Sequence, residues 1–193
     1  MRHKRLIIGV SGASGATFGI KALELMRPLD IETHLILSNA AKITLNEETN
    51  FSVDKFKALA DVVHPANNIA ACISSGSYQT LGMLIAPCSM RTLAEIASGV
   101  TTSLMSRAAD VVLKERRRLV LMARETPLTS IHLDNMQRVT QAGGIIYPPV
   151  PAFYHRPESI DDIVTQTVSR ALELFDIDTG KVSRWKDEDN TGK

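Results

Sequence analysis

Apolar and polar positions fall into alternating blocks along this chain. Near-continuous apolar runs at Arg5–Val10, Glu32–Leu37, Gly82–Ala86 and Arg118–Met122, with a shorter one at Gly144–Ile146, predict strands buried on both faces. Between them, Thr17–Met26, Val53–Ala60, Ser89–Ser98, Leu104–Glu115, Ile131–Ala142 and Ile160–Leu174 are amphipathic and predict helices. This alternation implies an α/β fold: a three-layer sandwich with a mostly parallel sheet covered on both faces. No internal repeat and no long linker interrupts it, so one domain is expected over residues 1–178. A polar tail follows over 179–193, with Trp185 its one large apolar residue.

In such sheets ligands gather at the carboxyl ends of the strands. Here each strand end runs into small, polar or charged residues: Ser11 to Ser14, Ser38-Asn39, Pro87 to Thr92, and Ala123 to Pro127. Four such edges would converge on one cleft.

The first edge reads Ser11-Gly12-Ala13-Ser14-Gly15-Ala16 between a strand and a helix. Small residues let backbone N–H groups approach an anion, and a helix start adds partial positive charge, so a phosphate-bearing ligand fits; a tight turn that binds nothing is the alternative. The lysine of a Walker A loop is absent, and the spacing departs from GxGxxG. Ser38 ends the second strand where a dinucleotide-binding protein carries an acid for the ribose, which favours a mononucleotide over NAD.

Ser89-Met90-Arg91-Thr92 opens a helix at another strand end and reads either as an ordinary serine cap or as a cap that also holds phosphate, with Arg91 adding charge. Arg124-Glu125 stands where a glutamate could shuttle a proton beside an anion-holding arginine, or form a surface ion pair. The segment from Ile146 to Pro157 is rich in proline and aromatic residues, a stiff loop suited to a flat aromatic ligand, an apolar tail or a subunit contact. Arg170 by itself reads as a solvated charge.

Composition removes several classes. A net charge of +1 with dispersed cations gives no nucleic-acid footprint; Lys114 to Arg118 suits a helix end. Cys72 and Cys88 are too few for a disulfide scaffold or zinc site, and His34, His64, His132 and His155 lack metal-ligand spacing, so no metal is expected. A reducing cytoplasm is the expected compartment. The basic amino terminus precedes too short an apolar stretch for a signal peptide or a membrane span. Cys88 reads as a packing residue, and neither Ser14 nor Ser89 sits in a GxSxG elbow.

Taken in order, Gly12-Ala13-Ser14-Gly15, Ser38, Pro87 to Thr92, Arg107-Ala108-Ala109-Asp110, Leu113 to Arg116, Arg124-Glu125-Thr126-Pro127, Ile131 to Met136 and Pro151-Ala152-Phe153-Tyr154 resemble the UbiX-type flavin prenyltransferases. That family was formerly regarded as aromatic-acid decarboxylases. The likeness runs from about the first strand to the last helix. It implies a single-domain flavodoxin-like (Rossmann-like) fold and transfer of a dimethylallyl group from dimethylallyl phosphate to N5 and C6 of reduced FMN, without a metal. The prenylated FMN would pass to a UbiD-type decarboxylase. By the same resemblance Gly12, Ala13, Ser14, Ser38, Ser89, Met90, Arg91, Thr92 and Arg124 would hold FMN, with Ser14 near N5. Lys114, Arg124, Glu125, Tyr154 and Arg170 would meet the donor, with Glu125 as acid and base and with Lys114, Tyr154 and Ser14 joining the catalysis. The site would be completed by neighbouring subunits of a dodecamer. Arg91 stands where many relatives have lysine, and Arg170 where some do. Two other functions fit a flavin site: direct decarboxylation of an aromatic acid, and non-catalytic carriage of FMN. The related cysteine decarboxylases carry a PASANT motif where this chain reads Ala86-Pro87-Cys88-Ser89-Met90-Arg91-Thr92.

Overall fold

Successive residues of a strand point to opposite faces of its sheet, and the first strand divides accordingly: Leu6, Ile8 and Val10 enter one core, Ile7 the other. In the computed structural model, which describes residues 4–186, strands β1 (Arg5–Val10), β2 (Glu32–Leu37), β3 (Val62–His64), β4 (Gly82–Cys88), β5 (Arg118–Ala123) and β6 (Ile145–Ile146) form one sheet. Their order is β3-β2-β1-β4-β5-β6, and every pairing is parallel. The sheet expected to be mostly parallel is thus wholly parallel among the described residues. The order is that of the Rossmann sheet; without the three-residue β3 it is the flavodoxin order.

The helices are α1 (Ala16–Met26), α2 (Asn39–Glu48), α3 (Val53–Lys57), α4 (Met90–Ser98), α5 (Leu104–Lys114), α6 (Ser130–Gln141) and α7 (Ile160–Glu173), with a 3-10 turn at Cys72–Ser74. One face of the sheet is covered by α1, α2, α3 and α7, and the other by α4, α5, α6 and the 3-10 turn. The three layers follow from that division.

Two elements escape the sequence pattern. Helix α2 buries only Ala41 and Leu45, so its apolar stripe is too thin to register as a period. Strand β3 is short and lies at the sheet edge. Most helices carry their own start signal: Ser38, Ser52, Ser89, Ser103, Thr129 and Ser159 each accept the third amide of the helix they precede. Helix α1 does not, since Gly15 stands at its cap with φ 108°, a conformation that favours glycine.

The segment that follows α7 folds back on it. The Ser183 amide donates to Gln166 Oε1 (2.9 Å), and Gln166 Nε2 donates to the Ser183 carbonyl (2.9 Å). Trp185 is exposed and meets the Tyr154 ring edge-on. The Asp187-Glu188-Asp189 run and Gly192 of the expected tail, like Met1-Arg2-His3, lie outside the described residues. Among the described residues no helix is long and apolar enough to cross a membrane.

Candidate functional site: a cleft at the sheet's switch point

After β1 the chain moves to one side of the sheet, and after β4 to the other, so a crevice opens between their carboxyl ends. Ser11 ties the two ends together. Its Oγ donates to the Pro87 carbonyl (2.9 Å) and accepts the Ser89 amide (2.7 Å), and the Ser11 amide donates to the same carbonyl (3.2 Å). On the outer side the Ser38 amide donates to the Val10 carbonyl (3.0 Å), which seats the start of α2 beside β1.

The crevice is a cleft of about 710 Å³, within the range of roughly 300–1,000 Å³ for small-molecule sites. Ser11, Gly12, Ser38, Ser89, Arg91 and Thr92 line it as the strand-end rule requires. Its wall also includes Asn39, Ala40 and Lys42 of α2, Pro65 to Asn67 after β3, and Thr102, Ser103 and Met105 at the start of α5. Three serine-capped helix starts, those of α2, α4 and α5, therefore border one space. Their dipoles add positive potential to a lining whose charged side chains, among the described residues, are Lys42, Arg91 and Glu95, the last two paired at 3.2 Å. Gly12 has its own reason: a Cβ there would lie 2.4 Å from the Ala40 Cβ, so the close approach of turn and helix needs a bare backbone. Ala13 and Met90 are half-buried beside the cleft wall, Met90 packing toward the α4/α5 core.

The first turn is occupied by the protein itself. Glu48, the last residue of α2, places Oε2 2.8 Å from the Gly15 amide and 3.2 Å from the Ala16 amide, capping α1 from another helix. Burial pushes the Glu48 carboxyl up, but bonds from the Ser14 side chain and these amides, with the charge of Arg124, outweigh it and hold it below its ordinary value. The anion at this helix start is thus a glutamate, and the starts of α2, α4 and α5 are the ones that face the cleft. Glu48 had no signal of its own in the sequence, because the helix that delivers it has none.

Arg124 follows β5, its amide donating to the Cys88 carbonyl (3.1 Å), and belongs to the Ser14–Glu48 cluster rather than to the cleft lining. Glu125 is exposed, with Oε1 on the Thr126 amide (3.0 Å). Of the four edges expected to converge, three line the cleft, and β3 supplies a further one. Cys88 is fully buried and burial drives its thiol pKa well up, as its packing role requires.

The expected donor residues stand apart. Lys114 ends α5, which starts at the cleft, so it lies about 15 Å along the helix at the other end of the sheet, ion-paired with Glu115. Tyr154 donates to the Ser183 carbonyl (3.0 Å) and accepts from Gln166 (3.1 Å). Arg170 is exposed on α7 and pairs with Glu173; its charge also reaches Tyr147, whose burial raises its pKa and whose hydroxyl donates to the Thr167 carbonyl (3.1 Å). One chain brings Tyr154 and Arg170 to the same side and leaves Lys114 remote.

Fold and cleft together define a flavin-binding protein. The profile of the Flavoprotein family matches residues 1–186, and the chain belongs to that family. Within it the chain is 59% identical over 183 residues to the flavin prenyltransferase UbiX of Neisseria meningitidis serogroup B, covering 95% of this chain and 97% of that one. It is a member of the UbiX-type flavin prenyltransferases. Among solved structures, AnUbiX (PadA1) in complex with FMN and dimethylallyl pyrophosphate superposes with a TM-score of 0.95 at 53% identity, covering 96% of this chain and 99% of that one. A dodecameric FMN-dependent UbiX-like decarboxylase from Escherichia coli O157:H7 gives 0.92 at 47%, covering 95% and 100%.

Proposed function

We propose that this protein transfers the dimethylallyl group of dimethylallyl phosphate to N5 and C6 of reduced FMN, releasing phosphate, and that a UbiD-type decarboxylase takes up the prenylated flavin. The observation that carries this reading is the match over 95% of the chain to a curated flavin prenyltransferase.

The cleft fits a flavin mononucleotide. The first amides of α2 and α4 have no acceptor within their own helices, and Ser38, Ser89, Arg91 and Thr92 surround the same space. Gly12 and Ala13 keep the adjoining wall low, and Met90 offers an apolar contact. When bound, reduced FMN supplies the two nucleophilic ring positions. Ser14, two residues beyond the cleft-lining Gly12, bonds to the Glu48 carboxylate, which is held below its ordinary pKa and would give a proton leaving the ring somewhere to go. Arg124 keeps that cluster from carrying net negative charge. Lys114, Tyr154 and Arg170 would hold the leaving phosphate, whose charge grows as its bond to carbon breaks, and Glu125 would exchange the proton that accompanies departure.

That assignment requires more than one chain, since Lys114 lies a helix length from the cleft. We infer an assembly in which a neighbour supplies it, a dodecamer as in the Escherichia coli O157:H7 relative. Exposed Ile131 and Leu133 on α6 and Val150 and Phe153 in the proline-rich loop are the apolar surfaces such an assembly would cover. We also take residues 1–178 as the flavin-binding domain, since Ile177 is the last buried apolar residue among those described, and 179–193 as its tail. Unpaired Cys72 and Cys88 support residence in the cytoplasm.

Anaerobic incubation with reduced FMN and dimethylallyl phosphate, followed by mass analysis of the released flavin, tests the reading. A flavin heavier by one five-carbon unit is expected. Unmodified FMN, bound tightly under conditions in which a UbiX relative turns over, would leave a flavin carrier; loss of carbon dioxide from an aromatic acid by this protein alone would make it a decarboxylase.

A further inference from the structure

On the α4/α5 face of the sheet, next to the cleft wall formed by Pro65 to Asn67, strand pairing brings together residues that are far apart in sequence. Ile36 of β2 pairs with His64 of β3, and the His34 and His64 rings lie nearly coplanar, 11° apart with centroids 5.2 Å from each other, so that they meet nitrogen to nitrogen. His34 Nδ1 stands 2.9 Å from His64 Nε2. Cys72 opens the 3-10 turn beside them, and the three ligand atoms lie within 4.8 Å of one another.

We propose that His34 Nδ1, His64 Nε2 and Cys72 Sγ bind one divalent transition-metal ion of the zinc class, with the fourth position open to water. Two imidazoles and a thiolate form a borderline-soft donor set, suited to zinc and its d-block neighbours and unsuited to magnesium or calcium. Tetrahedral bonds of about 2.1 Å to nitrogen and 2.3 Å to sulfur need donor separations of roughly 3.4–3.6 Å. Seating the ion therefore parts the two nitrogens by about half an ångström and turns both rings so that their lone pairs converge, and Cys72, which is exposed, closes by turning its side chain.

The surroundings are those a metal-binding histidine needs. Glu32 Oε1 accepts from His34 Nε2 at 2.7 Å, which puts the proton on that nitrogen and turns the Nδ1 lone pair toward His64. Arg5 Nε holds the same carboxylate oxygen at 2.9 Å, and the Tyr78 hydroxyl donates to it at 3.3 Å. Arg5 also lies over the Tyr78 ring, 4.6 Å from its centroid, so the outer residues brace one another. Without a metal, His34 Nδ1 accepts a hydrogen bond from His64 Nε2–H. On binding, that proton moves to His64 Nδ1, the Cys72 thiol releases its proton to water, and the ion takes the shared position.

The ion would clamp both ends of the segment between His64 and Cys72. Pro65, Ala66 and Asn67 of that segment wall the flavin cleft, and the Ala66 carbonyl accepts the Leu104 amide at the start of α5. The role inferred is thus to brace the cleft wall, separate from prenyl transfer, and its test does not depend on that activity.

Tag-free, chelator-treated, reduced protein is titrated anaerobically with cobalt(II) alone and then with zinc. One equivalent of cobalt with tetrahedral visible bands and a near-ultraviolet thiolate band, displaced by zinc, is expected. Cys72→Ser removes the thiolate band and His64→Gln weakens binding, while both variants keep FMN binding as a sign of an intact fold; Glu32→Gln lowers zinc affinity about 10–100-fold. Absence of stoichiometric binding at micromolar metal, or a thiolate band that survives Cys72→Ser, overturns the proposal.

Discussion

The cleft and the donor set are built differently. Cleft residues follow directly from strand ends and helix caps, and much of the binding capacity lies in backbone amides whose direction is set once the sheet forms. Lys114, Tyr154 and Arg170 are long or bulky side chains at a helix end, in a loop and on an outer helix face, each already engaged within its own chain. The cleft is lined by residues of one chain; in the assembly proposed above, the second region comes together only when chains meet. Flavin capture and donor chemistry should therefore be separable.

Glu125→Gln is the largest test of that separation. Prenylated flavin should form about 10²–10⁴-fold more slowly while FMN affinity stays within a factor of two or so, compared by stopped assay and fluorescence titration. A parallel fall in FMN affinity would merge the two regions. Next, Lys114→Ala should raise the KM for dimethylallyl phosphate roughly 10–100-fold, the worth of a charge-assisted bond. Mixed assemblies of Lys114→Ala and Arg170→Ala chains then decide where the site lies. If two chains build each site, random mixing restores about a quarter of the wild-type sites; no recovery would put both residues on one chain.

Ser89→Ala addresses the cleft alone. Losing the α4 cap should cost about 1 kcal/mol, a melting shift of roughly 2–4 °C, with weaker FMN binding and an unchanged donor KM. The smallest effect concerns Glu48. Its folded carboxyl lies below the ordinary value, so its contribution to stability is full above the unfolded pKa of about 4.3 and is lost as pH falls from there through the folded value. Urea midpoints below pH 5 should fall more steeply for wild type than for Glu48→Gln; equal slopes would remove Glu48 as the cap of α1.

What the sequence disclosed tracks how locally each feature is determined. Strands β1 and β2 are legible to the residue because each closes on an apolar run, Leu6 to Val10 and Leu35 to Leu37, that gives way to small polar groups. Strand β4 runs past the expected end at Ala86 to Cys88. The caps Ser38 and Ser89 and the Gly12 approach were visible as residue types at strand ends. Glu48 was not, because it reaches Gly15 across 33 residues from a helix with almost no apolar stripe. The His34–His64 pair was equally hidden, since its spacing reflects parallel strand register, one strand of which is three residues long. Motif spacing registers ligands on one element and misses those assembled by pairing.

The β1–β4 pairing also governs how the protein comes into being. Parallel neighbours cannot be joined by a hairpin, and Leu6 meets Gly82 only after the seventy-five residues between them have been made. Closing so long a loop is slow relative to local helix formation. A nascent chain that stops short of Gly82 holds β1, α1, β2 and β3 but no crevice, because the strand forming its other wall is still inside the ribosome or not yet translated. Flavin therefore cannot template the amino-terminal half; it acts as a late lock on a sheet that has already assembled.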